Sequence, residues 1–149
     1  MAKRSRAERL AAMSPEEREA FALANEGIRL GAEGHKAASL LQWQAAAEIA
    51  DLHLRHRSIR YWIHGGRAEA LFANGRFREC VEAALIARDF CLSIRQPAAS
   101  LWIAKSLLAL GAARQAAPYL QEVHGLVGEQ FYAAIDVDHH PQVRALLAI

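Results

Sequence analysis

The chain has 149 residues, of which 53% are hydrophobic and 23% are charged, and this composition suits one globular domain with a hydrophobic core. Its formal net charge of +2 is too small to indicate nucleic-acid binding by itself, and no apolar run is long enough for a bilayer span. Alanine and leucine are frequent, threonine is absent and valine is scarce, so the composition favours helices over strands.

Every predicted element is a helix. We expect a basic N-terminal extension at 1–13, typical of a solvated, frayed terminus, followed by one helical domain at 14–149. Ser14 can cap the first helix of the domain, Pro15 suits its first position and Glu17 completes a capping box. The helices are predicted, in chain order, from 15 to 31–34, then at about 35–55, 58–73, 77–94, 98–110 and 114–127. A short helix from about 129, a break at "DVDHHP" and a last helix at 141–149 complete the chain.

The two cysteines, Cys80 and Cys91, lie eleven residues apart on one predicted helix. A rise of about 1.5 Å per residue separates them by about 16 Å, which is too far for a disulfide. We interpret them as small, buried apolar side chains in a reducing compartment. The N-terminus also lacks the apolar segment of a secretory signal, so we expect a cytoplasmic protein.

The chain contains an internal repeat, which appears when it is aligned on Gly34, Gly75 and Gly111, the residues at which three predicted helices end. Its columns are Gly27, Ala68 and Ala104; Leu30, Leu71 and Leu107; Ser39, Cys80 and Ala116; Ala46, Ala87 and Val123; and, more loosely, Trp43, Ala84 and Leu120. Small side chains let antiparallel helices approach closely, and glycine lets the chain reverse with φ > 0. One such hairpin cannot bury its apolar face alone, so we predict three stacked hairpins.

These columns resemble the tetratricopeptide (TPR) repeat, with the best match at "GRAEALFANGRFRECVEAALIARDF". The resemblance covers about 21–127, but the usual Trp and Tyr of the first helix are missing, and the only proline near a repeat end is the displaced Pro97. The glycines are 41 and 36 residues apart, more than the usual repeat length. The resemblance implies an all-α, right-handed stack of three TPR-like helical hairpins. The terminal "DHHPQVRALL" is similar to a tail that follows TPR arrays in bacterial proteins, which implies a C-terminal helix that caps the stack.

The resemblance also implies that the first helix of each hairpin lines a concave groove for a partner. The lining residues are Phe21, Asn25 and Ile28 in the first hairpin, Trp62, Gly65, Gly66, Glu69 and Phe72 in the second, and Trp102, Lys105 and Leu108 in the third. Such a groove can hold a helix or an extended peptide. In the alternative interpretation these residues pack against the terminal helices of the same chain.

The segment His64-Gly65-Gly66 raises the question of a reactive loop. It falls inside the first helix of the middle hairpin, where the helix itself uses the backbone N–H groups, so it cannot form an oxyanion hole. Two glycines within a helix are still costly, which indicates close approach by a neighbouring helix or by a bound chain.

Candidate metal ligands are sparse. His53 and His56, at i and i+3, share a predicted helix face and could hold a metal with a third ligand, but Arg55 and Arg57 beside them favour a basic, exposed face. A second patch, interpreted as a solvated turn, comprises Asp136, Asp138, His139 and His140. Phosphate-binding loops, nucleophile elbows and zinc-type Cys-His spacings are missing from the sequence, so we expect no catalysis, no metal and no cofactor.

The expected function is therefore protein binding. A small, stand-alone TPR-like array is similar to two bacterial groups: chaperones that hold translocators of type III secretion systems, and immunity proteins that neutralise a toxin or effector. An apolar groove favours the chaperone, whereas a charged convex surface favours immunity. The sequence leaves a homodimer open and gives no sign of a membrane partner.

The alternative function is nucleic-acid binding, ahead of a metal-binding enzyme. It would use the N-terminal extension and Arg55, Arg57, Arg60, Arg76, Arg78 and Arg88. Interleaved acidic residues and a pI of about 8.7 disfavour it.

Overall fold

The structure, a computed structural model, describes residues 3–148, apart from the side chain of Leu10. Every regular element in that range is helical, so the predicted all-α class is confirmed. The α-helices are α1 (Arg6–Ala12), α2 (Pro15–Ala32), α3 (Lys36–His53), α4 (Ser58–Ala73), α5 (Phe77–Ser93), α6 (Ala98–Ala109), α7 (Ala113–Val127) and α8 (His140–Leu147). Two 3₁₀ helices, Gly128–Ala134 and Val137–His139, lie between α7 and α8.

Helices α2 to α7 pack in chain order, each against the next. The pairs α2–α3, α4–α5 and α6–α7 are the three predicted hairpins, and α4 also contacts both α2 and α6. The first helices of the hairpins therefore lie side by side. The right-handed, TPR-like form of the stack remains a prediction. Within residues 3–148, no helix combines the length and apolarity that a bilayer span requires.

The three turns within the hairpins share one geometry. Gly34, Gly75 and Gly111 have φ of +85°, +71° and +74°. The N–H after each glycine donates to the carbonyl of the leucine column: His35 to Leu30 at 2.9 Å, Arg76 to Leu71 at 2.9 Å and Ala112 to Leu107 at 2.8 Å. This hydrogen bond, together with the left-handed glycine, is a Schellman helix ending, and it explains why the glycine columns predict the helix ends.

The turn between α5 and α6 uses the same ending without glycine. Arg95 takes the left-handed conformation with φ of +57°, and the N–H of Gln96 donates to the carbonyl of Cys91 at 2.8 Å. An arginine at this position gives no turn signal, which is why an alignment on glycines does not include it.

The repeat columns lie in the core, as the alignment predicts. The columns of small residues on both helices of each hairpin are buried, namely Gly27, Ala68 and Ala104, Ser39, Cys80 and Ala116, and Ala46, Ala87 and Val123. In the leucine column Leu71 and Leu107 are buried and Leu30 is half-buried. The looser column of Trp43, Ala84 and Leu120 is buried too. The alternation of small and large side chains therefore sets how closely the helices pack.

The N-terminal extension is helical at Arg6–Ala12, which corrects the prediction of a frayed terminus for that stretch. Ser5 and Glu8 explain it: the N–H of Glu8 donates to Ser5 Oγ at 3.1 Å, and the N–H of Ser5 donates to the Glu8 carboxylate at 2.7 Å. This reciprocal pair is a capping box, readable from the spacing Ser-x-x-Glu.

The capping box predicted at Ser14 forms only in part. The N–H of Glu17 donates to Ser14 Oγ at 3.1 Å, as expected. The Glu17 carboxylate instead accepts a hydrogen bond at 2.5 Å from Arg57, 40 residues away in sequence. Glu17 therefore links the start of α2 to the loop before α4.

The C-terminal segment packs on α7 through the first 3₁₀ helix and α8. Phe131, Tyr132, Ile135 and Val143 are buried there. His140 Nε2 lies 2.9 Å from the carbonyl oxygen of Tyr132 and 3.0 Å from that of Ile135, so its N–H closes the loop between the 3₁₀ helix and α8. His140, predicted to lie in a solvated turn, is a structural residue.

Candidate functional site

Three neighbouring helices, α2, α4 and α6, carry most of the predicted groove residues on one surface. We call it the α2–α4–α6 face, defined by Phe21, Asn25, Ile28, Trp62, Gly65, Glu69, Phe72, Trp102 and Lys105. Ile28 is 48% exposed and Trp62 is 41% exposed, although both are large and apolar. An uncovered apolar surface next to polar groups is typical of an interaction site.

Two of the predicted lining residues have other surroundings. Leu108 is only 4% exposed, and it lines a hollow together with Phe72, Lys105 and Ile135 of the C-terminal segment. Gly66 packs against the ring of Trp43, and both residues line a cleft between α2 and α4. Leu108 is therefore a buried residue that lies near the chain's own C-terminal segment.

Trp43, which comes from α3, fills the space between α2 and α4. It is 6% exposed, and its ring lies against Gly27 on one side and Gly66 on the other. A Cβ added at Gly27 would lie 2.8 Å from Trp43 Nε1, and one added at Gly66 would lie well under 3.0 Å from the six-membered ring. Both positions therefore favour glycine, because the Trp43 indole ring occupies the space that a larger side chain would need.

Gly65 has a different environment from its neighbour Gly66. A Cβ added at Gly65 would have no heavy atom within 4 Å, apart from the adjoining backbone. The sequence raised neighbour packing and a ligand-facing role as two explanations for this pair of glycines. The structure assigns neighbour packing to Gly66 and leaves Gly65 facing open space.

An aromatic cluster holds Trp62 between the N-terminal halves of α2 and α4. The Trp62 ring centroid is 5.8 Å from that of Phe21 and 5.6 Å from that of Trp43, in an edge-on arrangement with Trp43. Contacts between aromatic rings of this kind add about 0.5–1.5 kcal/mol beyond area burial. Trp62 is thus fixed by a buried ring from below while part of its surface stays in contact with solvent.

A cleft of about 390 Å³ continues from this cluster along the seam between α2 and α4. Ile28 and Gly31 line it from α2, Gly66 and Glu69 from α4, and Lys36 and Trp43 from α3. A lining of mostly small and apolar side chains with a few polar groups suits the insertion of apolar side chains from a partner.

A second aromatic cluster surrounds Lys105. The Phe72 ring centroid is 5.2 Å from those of Phe77 and Trp102. Lys105 Nζ lies 4.7 Å from the Phe72 centroid and 4.6 Å from the Trp102 centroid, a double cation–π contact. Burial lowers the pKa of Lys105 below its usual value, while Cys80 and Glu69 oppose that shift.

His64 is a buried polar residue on the core side of α4. Its Nε2 lies 2.8 Å from the Asp51 carboxylate, which also accepts a hydrogen bond at 2.8 Å from Arg60, whereas its Nδ1 has no partner within the described chain. Burial lowers the pKa of His64, although the hydrogen bond to Asp51 opposes the shift. The Asp51 pKa would rise on burial, but hydrogen bonds from His64 and Arg60 outweigh that effect and lower it. Neutral His64 that donates from Nε2 fits this arrangement.

His64 predicts a pH dependence of stability. Because its pKa is lower in the folded chain, the unfolded chain takes up this proton at a higher pH. The free energy of unfolding is therefore expected to be largest above about pH 6.5, the ordinary histidine pKa, and to fall as the pH drops below it. Urea unfolding at pH 7.5 and 5.5 measures this fall.

His64→Gln provides the control for this prediction, since glutamine can donate to Asp51 but does not titrate. We expect the difference in unfolding free energy between the two pH values to shrink in the variant. An equal difference in both proteins would assign the pH dependence to other groups.

The other candidates from the sequence are not assembled into sites. His53 ends α3 and His56 lies in the following loop, so they do not share a helix face as predicted. Asp136 caps the second 3₁₀ helix by accepting from the N–H of Asp138 at 3.0 Å. Nowhere in residues 3–148 do three His, Cys, Asp or Glu side chains meet in a way that could hold a metal. Cys80 and Cys91 are both free thiols.

Four of the six arginines named individually for nucleic-acid contact already bind carboxylates. The pairs are Arg57 with Glu17, Arg60 with Asp51, Arg76 with Glu79 and Arg88 with Glu122. An arginine that forms an ion pair within the chain is less available to bind a phosphate. This surface does not favour the nucleic-acid alternative.

Sequence reasoning missed the part played by Trp43 and His64. Trp43 belongs to the looser repeat column, whose three residues differ in size. His64 lies at the spacing i, i+4, i+7 with Ala68 and Leu71, so the helical period already placed it on the core side. Comparison of the chain with protein-family models, with curated proteins and with solved structures found no match.

Proposed function

We propose that the chain is a non-catalytic binding protein that masks a segment of a cognate bacterial protein on the α2–α4–α6 face. The observation that carries the proposal is Trp62, an indole 41% exposed yet held between Phe21 and Trp43. A fixed, partly exposed tryptophan has already lost most of its rotamer freedom, so little entropy is lost when a partner covers it. Tryptophans in such positions are enriched among residues that dominate binding energy.

The character of this face bears on the choice between the two partner classes that the TPR resemblance implies. The cognate protein is either a translocator held by a secretion chaperone or a toxin or effector held by an immunity protein. The face is mainly apolar and aromatic, with Glu69 and Lys105 as its charged members. Masking an apolar segment depends on buried apolar area, whereas inhibition of a folded active site relies more on charge complementarity. The apolar lining thus supports the chaperone role over the immunity role.

The test is affinity capture from the native host with the wild-type chain and the Trp62→Ala variant. We expect one abundant partner with the wild type, and binding at least about 30-fold weaker in the variant, the loss typical of a hot-spot residue. Circular dichroism checks that both chains are folded.

Leu52→Ala is the matched control, because Leu52 is 76% exposed but lies on α3, outside the α2–α4–α6 face. It removes an exposed apolar side chain without touching the proposed site, so we expect it to retain the partner. Equal retention by the Trp62 and Leu52 variants would remove the α2–α4–α6 face as the binding site.

A further inference from the structure

Gly65 is not explained by packing within the described chain. It lies in the interior of α4, where glycine is less favourable than alanine, yet a Cβ there would meet nothing within 4 Å. Gly27 and Gly66 differ because Trp43 excludes their side chains. Gly125 also faces open space, but it lies in the last turn of α7, where the helix ends at Val127 and a glycine costs little.

The surroundings of Gly65 are those of a contact surface. Trp62 lies one turn before it and Glu69 one turn after it, and spacings of three and four residues place all three on one side of α4. Trp62 and Glu69 are both exposed, and Glu69 interacts electrostatically with Lys105 without any ion pair within 4.0 Å in residues 3–148. Because Gly65 has no side chain, it leaves a shallow depression on the helix surface between the exposed Trp62 indole and the exposed Glu69 carboxylate.

The backbone of this face determines what form of chain can cover it. Residues of α2, α4 and α6 use their backbone N–H and C=O groups within the helices, so the face offers only side chains as hydrogen-bond partners. An extended peptide buried here would leave many of its own backbone groups without partners, which is costly on an apolar surface. A helix pairs its backbone N–H and C=O groups internally, so it can cover an apolar surface without this cost.

We propose that the partner segment is an amphipathic α-helix that crosses α4 at Gly65, with an apolar side chain against Trp62 and a Lys or Arg beside Glu69. This inference rests on the proposed function, since it names the element that the α2–α4–α6 face holds. Close approach at Gly65 requires a small residue at the crossing point of the partner helix, because side chains of that size let two helices contact closely. The partner sequence thus carries apolar, small and basic residues at helical spacing.

The test uses Gly65→Leu and its matched control Gly125→Leu in the full chain. Both substitutions replace a helical glycine that faces open space, so both variants are expected to unfold at or above the wild-type temperature. The probes are 20-residue peptides tiled along the sequence of the captured partner, with binding measured by calorimetry. We expect Gly65→Leu to weaken the binding peptide at least about tenfold and Gly125→Leu to leave it unchanged.

The bound peptide then distinguishes a helix from an extended chain. We expect its helical circular dichroism signal to increase on binding, a proline at its centre to abolish binding, and Glu69→Lys to weaken it unless the basic residue of the peptide is changed to Glu. If the proline peptide binds unchanged, or if Gly65→Leu has no effect, the helical occupant is wrong even though Trp62→Ala still abolishes capture. If Trp62→Ala has no effect either, the proposed function fails as well.

Discussion

Gly66→Ala is expected to lower the free energy of unfolding by about 2–3 kcal/mol, whereas Gly65→Ala, one position earlier, should raise it by up to about 1 kcal/mol. The added methyl group at position 66 would overlap the six-membered ring of Trp43, which contacts Gly27 of α2 through its other ring atoms. At position 65 the same methyl group meets open space and only improves helix propensity. Urea unfolding of the two variants and the wild type measures both effects.

A double-mutant cycle with Trp43→Phe shows whether the ring is the cause. Phenylalanine lacks the outer ring atoms that the new methyl group would meet, so Gly66→Ala should cost clearly less in the Trp43→Phe background. Equal costs in both backgrounds, or equal effects of alanine at 65 and 66, would contradict the packing described for Trp43.

Trp43→Ala is expected to be more destabilising, by about 3–5 kcal/mol, because it leaves a cavity where three helices meet. Trp43 is 6% exposed and contacts α2 and α4 at their glycines, so little else can move into its place. Trp62→Ala should cost much less, since part of that ring already contacts water. The free energies of unfolding of the two variants give the comparison.

The two tryptophans should also differ in how they affect binding. Trp43 supports Trp62 from below, so Trp43→Ala is expected to lower both stability and partner affinity, whereas Trp62→Ala should lower mainly affinity. Measurement of both quantities on the same protein samples separates a core residue from a surface anchor. Similar losses of stability in the two variants would show that Trp62 is a core residue and would weaken the proposed site.

The candidate site was predictable from the sequence only in part. The repeat columns and the family resemblance pointed to the first helices, and the structure places Phe21, Trp62 and Phe72 on one face there. They did not show that Leu108 is buried near the C-terminal segment, nor that Gly65 and Gly66 face different surroundings. A repeat column gives the side of a helix that a residue occupies, but the neighbour on that side comes from distant parts of the chain.

The sequence by itself determined the all-helical class, the helix ends and the core columns. Those features depend on interactions within a few residues, such as the hydrogen bond from Arg76 to Leu71 that the left-handed Gly75 permits. Only the tertiary structure decided which groups meet across longer separations. In the folded chain the Glu17 carboxylate binds Arg57, 40 residues away, and Trp43 lies between two helices. Such contacts depend on the packing of whole helices, whose side chains compete for the same space, and no local pattern specifies that outcome.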